Sequence, residues 1–207
     1  MRQSAASIWS LDALAGEVAR RQQAGEHGVF TNGVFDLLHQ GHLRYLEGAR
    51  ARGDFLVVGI NDDESVRRIK GPKRPLVPAA ERAELVAGLA CVDYVTIFGD
   101  NTAEALVRAL RPSIYVKGAD YIRGRTDDVS VRLLPGVLGA VLAGDASAYP
   151  ELAGLGERLP EAHAVAEYGG TLCLVSGVAD RSTSALIERI VARYGPGVDG
   201  DASDGAE

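Results

Sequence analysis

The sequence predicts an α/β protein with a doubly wound, five-stranded parallel sheet and a mostly helical segment inserted between the fourth and fifth strands. Two observations predict this class. Five short runs are apolar and often β-branched, with glycine or polar residues at their ends, as in strands that are buried on both faces. Helical patterns separate these runs. Strands that alternate with helices form parallel sheets with right-handed crossovers.

The elements follow one another in a regular order. The predicted strands are GVFTNG at 28–33, FLVVGIN at 55–61, YVTIF at 94–98, IYVKG at 114–118 and TLCLVSG at 171–177. The predicted helices cover residues 11–25, 42–53, 78–89, 102–110 and 182–195. Pro78 suits a first helical position, Thr102 is a natural N-cap and Gly195 a natural end. These signals predict one domain over residues 1–194, followed by an acidic tail at 195–207 that we expect to be disordered.

Residues 124–158 interrupt this rhythm between the fourth and fifth strands. The segment is longer than an ordinary connection, yet it is too apolar for a solvated loop. Pro135 and Gly136 divide its apolar core into two short pieces. We expect a compact, mostly helical insert that packs on its own subunit and covers the edge of the sheet. A functional lid is the alternative.

Composition excludes several classes of protein. The net charge of −6 argues against a nucleic-acid binder. No apolar run is long enough for a membrane span, and the N-terminal residues lack the apolar centre of a signal peptide. We therefore expect a cytoplasmic protein. The two cysteines, Cys91 and Cys173, lie in apolar runs and are predicted to be buried thiols.

The stretch GVFDLLHQGH at 33–42 follows the first predicted strand and enters a helix. Gly33 allows a sharp turn and a close approach of the backbone to a ligand. The free N–H groups at a helix start attract phosphate. His39 and His42 are three residues apart, so both can face one side of the first turn and donate to phosphate oxygens. A zinc site is not expected, because no third ligand lies nearby.

The pattern from Thr31 to His42, T-N-G-x-F-D-x-x-H-x-G-H, resembles the signature of the cytidylyltransferase-like nucleotidyltransferases. Four further stretches are similar to the members of this family that make ADP-heptose from ATP and D-glycero-β-D-manno-heptose 1-phosphate. They are NDDESVRRIKGPKRPLVPAAER, VDYV, LRPSIYVKGADY and RSTSALIERI. The resemblance runs from about Leu11 to Tyr194, and residues 124–158 interrupt it, because the connection is much shorter in relatives.

The resemblance implies a Rossmann-like nucleotidyltransferase fold and an enzyme that transfers AMP from ATP to a sugar 1-phosphate. A sugar phosphate oxygen attacks the α-phosphorus and pyrophosphate leaves, so no protein nucleophile is needed. Mg²⁺ is implied as a cofactor bound through the triphosphate, without a protein metal site. A homodimer is also implied. Two alternatives stay open: CTP-dependent transfer to a polyol phosphate such as glycerol 3-phosphate, and a non-catalytic nucleotide-binding module.

The resemblance also assigns residues to three groups. The catalytic group is His39, His42, Lys70 and Thr183. The nucleotide-binding group is Thr31, Asn32, Gly33, Val34, Phe35, Asp36, Gly41, Lys117, Gly118, Asp120, Ser182 and Ser184. The acceptor-binding group is Asn61, Lys73 and Arg82. The insert is expected to border the acceptor side of the site.

Three of these side chains keep alternative interpretations. Asp36 either orients a loop amide or His39, or caps the following turn. Arg82 either reaches a phosphate or pairs with Glu81 or Glu84. Lys70 belongs to a Gly- and Pro-rich basic turn, which the family identifies as a mobile loop that closes on phosphates.

Overall fold

The computed structural model describes residues 7–122, 130–175 and 183–195, and within them one seven-stranded sheet. The strands are β1 Ser7–Ile8, β2 Gly28–Gly33, β3 Phe55–Asn61, β4 Tyr94–Phe98, β5 Ile114–Gly118, β6 Val131–Leu133 and β7 Thr171–Val175. Their spatial order is β1-β4-β3-β2-β5-β7-β6. Neighbours are parallel except β6, which pairs antiparallel with β7.

The predicted fold class is confirmed, but the predicted count of five strands is too low. The strands missed are β1 and β6, which have two and three residues. Neither run is long enough to show an alternating pattern. Each lies at an edge of the sheet and is ordered by its single neighbour, β4 or β7. The last two residues of the predicted fifth strand, 176–177, lie outside the described part of the chain.

Helices cover both faces of the sheet. They are α1 Leu11–Gln23, α2 Gln40–Arg50, α3 Asp63–Lys70, α4 Ala79–Ala87, α5 Glu104–Leu110, α6 Pro135–Leu142, α7 Leu155–Arg158, α8 Glu161–Glu167 and α9 Thr183–Tyr194. One core cluster combines the sheet with side chains of α1, α5, α6 and α8. A second cluster on the opposite face combines the sheet with α2 and α4. This two-faced cover is the doubly wound arrangement that the sequence predicts.

Helix α3 corrects the interpretation of Lys70 as a loop residue. Asp62 caps the helix, because its carboxylate accepts a hydrogen bond from the Ser65 amide at 2.7 Å. Gly71 ends it with a φ of 92°, a conformation that favours glycine. The predicted basic turn therefore begins at Gly71, and Lys70 stands on the last turn of a helix.

The described part of the insert, residues 130–158, is compact and mostly helical, as predicted. Strand β6 adds to the sheet edge, and Leu138 and Val141 of α6 are buried against the same face as α8. A short 3₁₀ helix at Pro150–Leu152 and helix α7 complete the segment. Among the residues that the structure describes, no helix has both the length and the apolar character that crossing a membrane requires.

Candidate active site

A cleft of about 540 Å³ opens at the carboxyl ends of the central parallel strands. This edge is where open α/β sheets bind their ligands. Eleven residues that the sequence assigned to a site line it. They are Asn32, Gly33, Val34, Phe35, Asp36, His42, Asn61, Lys70, Lys117, Thr183 and Ser184.

Several other predicted residues do not line this cleft. Thr31 is fully buried, and its hydroxyl forms a 2.7 Å hydrogen bond with the hydroxyl of Tyr45. Gly41 is also buried, inside the first turn of α2. Lys73 is exposed away from the cleft wall. None of these three residues lines the main cleft, and their part in ligand binding stays a prediction.

Three predicted nucleotide-binding residues lie elsewhere. Gly118 lines a smaller neighbouring hollow of about 200 Å³ that shares Asn32 and His42 with the main cleft. Asp120 belongs to a short 3₁₀ helix at Ala119–Tyr121. Ser182 lies outside the described residues.

The two histidines stack on each other at the start of α2. Their ring centroids are 3.8 Å apart, with an angle of 22° between the planes. His39 is the N-cap residue, and its ring lies behind that of His42, which also contacts Phe35. The rings lie against each other, but only His42 reaches the wall of the main cleft, whereas His39 lines a separate hollow beside Leu38 and Leu89.

Burial makes His42 an unusually weak base. Loss of solvent around the ring, and then the repulsive proximity of His39, lower its pKa from 6.5 to about 4. The backbone of Leu37 partly opposes this shift through a contact with the ring, but the buried Nδ1 atom makes no hydrogen bond of normal geometry among the described residues. At neutral pH the ring is therefore uncharged in the free protein. It can still donate a hydrogen bond, and a bound phosphate would favour its protonation.

This depressed pKa predicts a loss of stability in acid. The unfolded chain binds a proton at His42 near pH 6.5, whereas the folded chain does so only near pH 4. Stability is therefore complete above pH 6.5 and falls as the pH drops towards 4. We expect His42 alone to lower the free energy of unfolding by about 2 kcal/mol over this pH range, after allowance for the partial exposure of its ring to solvent. Urea unfolding at pH 7.5 and pH 4.5 measures it. The free energy of unfolding should depend less steeply on pH in His42→Asn than in the wild-type protein. An equal pH dependence in both proteins would show that His42 does not cause the loss of stability.

The loop between β2 and α2 has a strained backbone. Phe35 has a φ of 50°, which is unfavourable for any residue other than glycine. Its ring folds back over Gly33, where a Cβ atom would lie 2.9 Å from it. A side chain at position 33 would therefore displace Phe35, and with it the ring contact to His42.

Asp36 connects this loop to the basic segment that follows α3. Its carboxylate, only 2% exposed, accepts hydrogen bonds from Arg74 Nε at 2.5 Å and from the amides of Leu76 and Val77 at 2.8 and 2.9 Å. Of the two interpretations, the one in which it orients loop amides is correct, although these amides lie about forty residues away along the chain. Asp36 thus fixes the loop that begins beside Lys70.

Arg82 corrects a prediction. It is fully buried, so it cannot contact an acceptor in this structure. Its guanidinium donates to the carbonyl oxygens of Val77, Val34 and Asn61 and to the Asp63 carboxylate, at 2.5–2.8 Å. It pairs with neither Glu81 nor Glu84. Arg82 instead ties together the loops that form the cleft wall.

Cationic and polar groups from other strands complete the cleft. Lys117 at the end of β5 donates to Asn32 Oδ1 at 3.3 Å, and the Tyr115 hydroxyl donates to the same oxygen at 2.7 Å. Thr183 and Ser184 begin α9, so the free amides of that helix start lie at the cleft.

Sequence reasoning missed several residues of the cleft wall. They are Ile69, Arg74, Asn101, Thr102, Tyr121, Arg158, Pro160 and Glu161. Glu161 was missed although it is buried, where its carboxylate accepts a hydrogen bond from the Ala103 amide at 2.9 Å. No local motif marks Arg158 or Glu161, since they reach the cleft only through the course of the insert.

Comparison with known proteins decides the family. The sequence profile described as "Cytidylyltransferase-like" matches residues 30–133, just over half of the chain and the part that carries His42, Lys70 and Lys117. The chain belongs to the cytidylyltransferase-like family. The resemblance predicted from Thr31 to His42 is thereby confirmed.

Several curated relatives are bacterial proteins named "Bifunctional protein HldE". The one from Geobacter sulfurreducens is 42% identical over 190 residues, or 92% of this chain and 32% of the relative. The one from Helicobacter pylori is 51% identical over 122 residues, 59% of this chain and 26% of the relative. The chain thus spans about a third or less of the length of these relatives.

A solved structure also matches part of the chain. It is the lipopolysaccharide core biosynthesis protein from Thermoplasma volcanium, which is 30% identical. The match covers 50% of this chain and 80% of that protein, with a TM-score of 0.42.

Proposed function

We propose that this family member is an adenylyltransferase that transfers AMP from ATP to a sugar 1-phosphate, D-glycero-β-D-manno-heptose 1-phosphate, and releases pyrophosphate. One observation carries the reaction class: His42, Lys70, Lys117 and the start of α9 converge on a single cleft. The acceptor is supported by the similarity to the HldE proteins and by the motifs shared with ADP-heptose-forming enzymes. The name of those relatives denotes two activities, and this chain matches about a third of their length.

The chemistry needs positioning and charge stabilisation more than acid–base catalysis. The attacking oxygen already belongs to a phosphate, so no group has to remove a proton from it. Two polyanions must be brought together in line, and negative charge must be stabilised at the α-phosphorus. An uncharged His42 suits this task, because its ring N–H can donate a hydrogen bond to the α-phosphate as negative charge develops there, while the lysines of the cleft supply the positive charge.

The other groups would hold the triphosphate on both sides of the reacting atom. Lys70, at the end of α3, supplies a flexible point charge beside the basic loop that Asp36 fixes. Thr183 and Ser184 supply hydroxyls and helix-start amides for the terminal phosphates. Asn32 and Lys117 line the part of the cleft between β2 and β5, where we place the nucleoside.

Mg²⁺ would be bound through the triphosphate and water. The described residues include no group of three or more His, Cys, Asp or Glu side chains that could hold a metal ion. The Asp36 carboxylate is already occupied by Arg74 and two amides. A cation held mainly by phosphate oxygens fits these residues, and it would supply neutralisation of the triphosphate charge.

The nucleotide preference tests the proposal directly. The purified protein is expected to release pyrophosphate from ATP in the presence of heptose 1-phosphate, with a kcat/KM at least about tenfold above that for CTP. The measurement is a coupled pyrophosphate assay with both nucleotides and a panel of sugar phosphates and polyol phosphates. Faster release from CTP with glycerol 3-phosphate would favour the cytidylyltransferase alternative. No release under any condition would favour a non-catalytic module. The homodimer and the cytoplasmic location expected from the sequence remain predictions.

A further inference from the structure

Arg158 lies on a wall of the cleft that the inserted segment supplies. It is the last residue of α7. It lines the cleft together with Pro160, which is the N-cap of α8, and Glu161, which is the first residue of α8.

The guanidinium of Arg158 is held in place, and no carboxylate among the described residues neutralises its charge. Nη1 donates to the carbonyl oxygen of Ala153 at 2.7 Å, and Nη2 donates to that of Tyr121 at 3.1 Å. In the part of the chain that the structure describes, Nε is buried without a hydrogen-bond partner, and no carboxylate forms an ion pair with Arg158. Arg74 and Arg82, by contrast, pair with Asp36 and Asp63.

The two carbonyl contacts also fix the position of the guanidinium. Tyr121 closes the short 3₁₀ helix after β5, whereas Arg158 ends the insert that follows it along the chain. The hydrogen bond between them therefore joins the two ends of the insert at the rim of the cleft. A guanidinium held in this way loses little side-chain entropy when it binds a ligand.

The chemistry of the site indicates which anion this group would meet. An in-line transfer places the attacking oxygen on the side of the α-phosphorus opposite the leaving pyrophosphate. His42 lies on the α2 face of the sheet, and Arg158 lies with α8 on the opposite face. The acceptor brings its own phosphate into a cleft that already holds a triphosphate, so it needs a separate cation. Arginine matches the geometry of a phosphate through paired N–H donors.

We propose that Arg158 binds the phosphate of the acceptor sugar and so makes the insert part of the acceptor site, an inference that rests on the proposed function. Unliganded, the side chain serves only as a link between two carbonyls. When the acceptor is bound, the N–H groups of Nη1 and Nη2 that do not contact the carbonyls donate to its phosphate oxygens. The insert would thereby contribute to the selection of a phosphorylated acceptor over the free sugar.

Steady-state kinetics of Arg158→Gln test this assignment. The KM for heptose 1-phosphate is expected to rise about 10- to 100-fold, as for loss of a charge-assisted hydrogen bond, whereas the KM for ATP stays within about twofold. Arg158→Lys should recover part of the loss, because it retains the charge without the planar fork. Arg132→Gln is the matched control. It removes an exposed arginine of β6 in the same insert, away from the cleft, and it should change neither KM.

Two results would overturn the assignment. One is an unchanged KM for the acceptor in Arg158→Gln. The other is an equal rise in both KM values together with a lower melting temperature, since a purely structural link between the ends of the insert would act in that way. Both results presuppose turnover by the wild-type protein. Absence of pyrophosphate release by the wild-type protein with every sugar phosphate would instead refute the proposed function, and this inference with it.

Discussion

Replacement of His42 by alanine is expected to lower kcat at least about a hundredfold while the fold survives. His42 is the histidine of the pair that lines the cleft, and its ring is held between His39 and Phe35. A preorganised donor to charge that develops in the transition state contributes about 10²- to 10³-fold in comparable sites. The effect should fall on kcat more than on the KM for ATP, because the hydrogen bond strengthens as charge develops. Pyrophosphate release under saturating substrates measures it.

The chain offers a control for this substitution. His27 directly precedes β2 and is largely exposed, and among the described residues its side chain pairs only with Asp54. His27→Ala should therefore keep the kcat of the wild-type protein. Circular dichroism of both variants would show that the fold is retained. A folded His42→Ala protein with a kcat within a few fold of the wild type would exclude His42 as a transition-state donor.

The central parallel strands were predictable because each is an apolar run that can be recognised from its own residues. β2, β3, β4 and β5 have the predicted bounds, since each is buried on both faces and ends at a glycine, an asparagine or an aromatic residue. The edge strand β6 and helix α3 were not predictable in the same way. β6 forms because β7 offers an unpaired edge, and α3 is short, with Val66 and Ile69 as its only apolar residues.

In the candidate site, too, the residues of a local motif were predictable, whereas the roles of residues with distant partners were not. Gly33, Phe35 and His42 follow from one local motif, and the structure brings all three to the cleft. Asp36 and Arg82 lie in equally suggestive positions, yet their partners are mostly backbone groups, up to 48 residues away along the chain. Spacing cannot distinguish a carboxylate that binds a ligand from one that fixes a loop. Only the partners, which tertiary structure supplies, make that distinction.

Arg82 is expected to be essential to stability. Replacement by methionine should lower the free energy of unfolding by about 3 kcal/mol, because it leaves three carbonyl oxygens and the Asp63 carboxylate without their donor. The substitution keeps most of the apolar stem, so the loss of hydrogen bonds dominates over the loss of packing. Thermal and urea unfolding of the variant measure the change.

The matched control for Arg82 is Arg67→Met on the exposed side of α3, which changes the same two residue types without removing a buried contact. It should unfold within about 0.5 kcal/mol of the wild-type protein. Arg82→Lys should recover only part of the loss, since one ammonium group cannot reach four acceptors that surround a planar guanidinium. If Arg82→Met were as stable as Arg67→Met but had a raised acceptor KM, Arg82 would be a binding residue after all. Because the guanidinium is fully buried and links Val34, Asn61 and Asp63, we expect the opposite: a less stable protein.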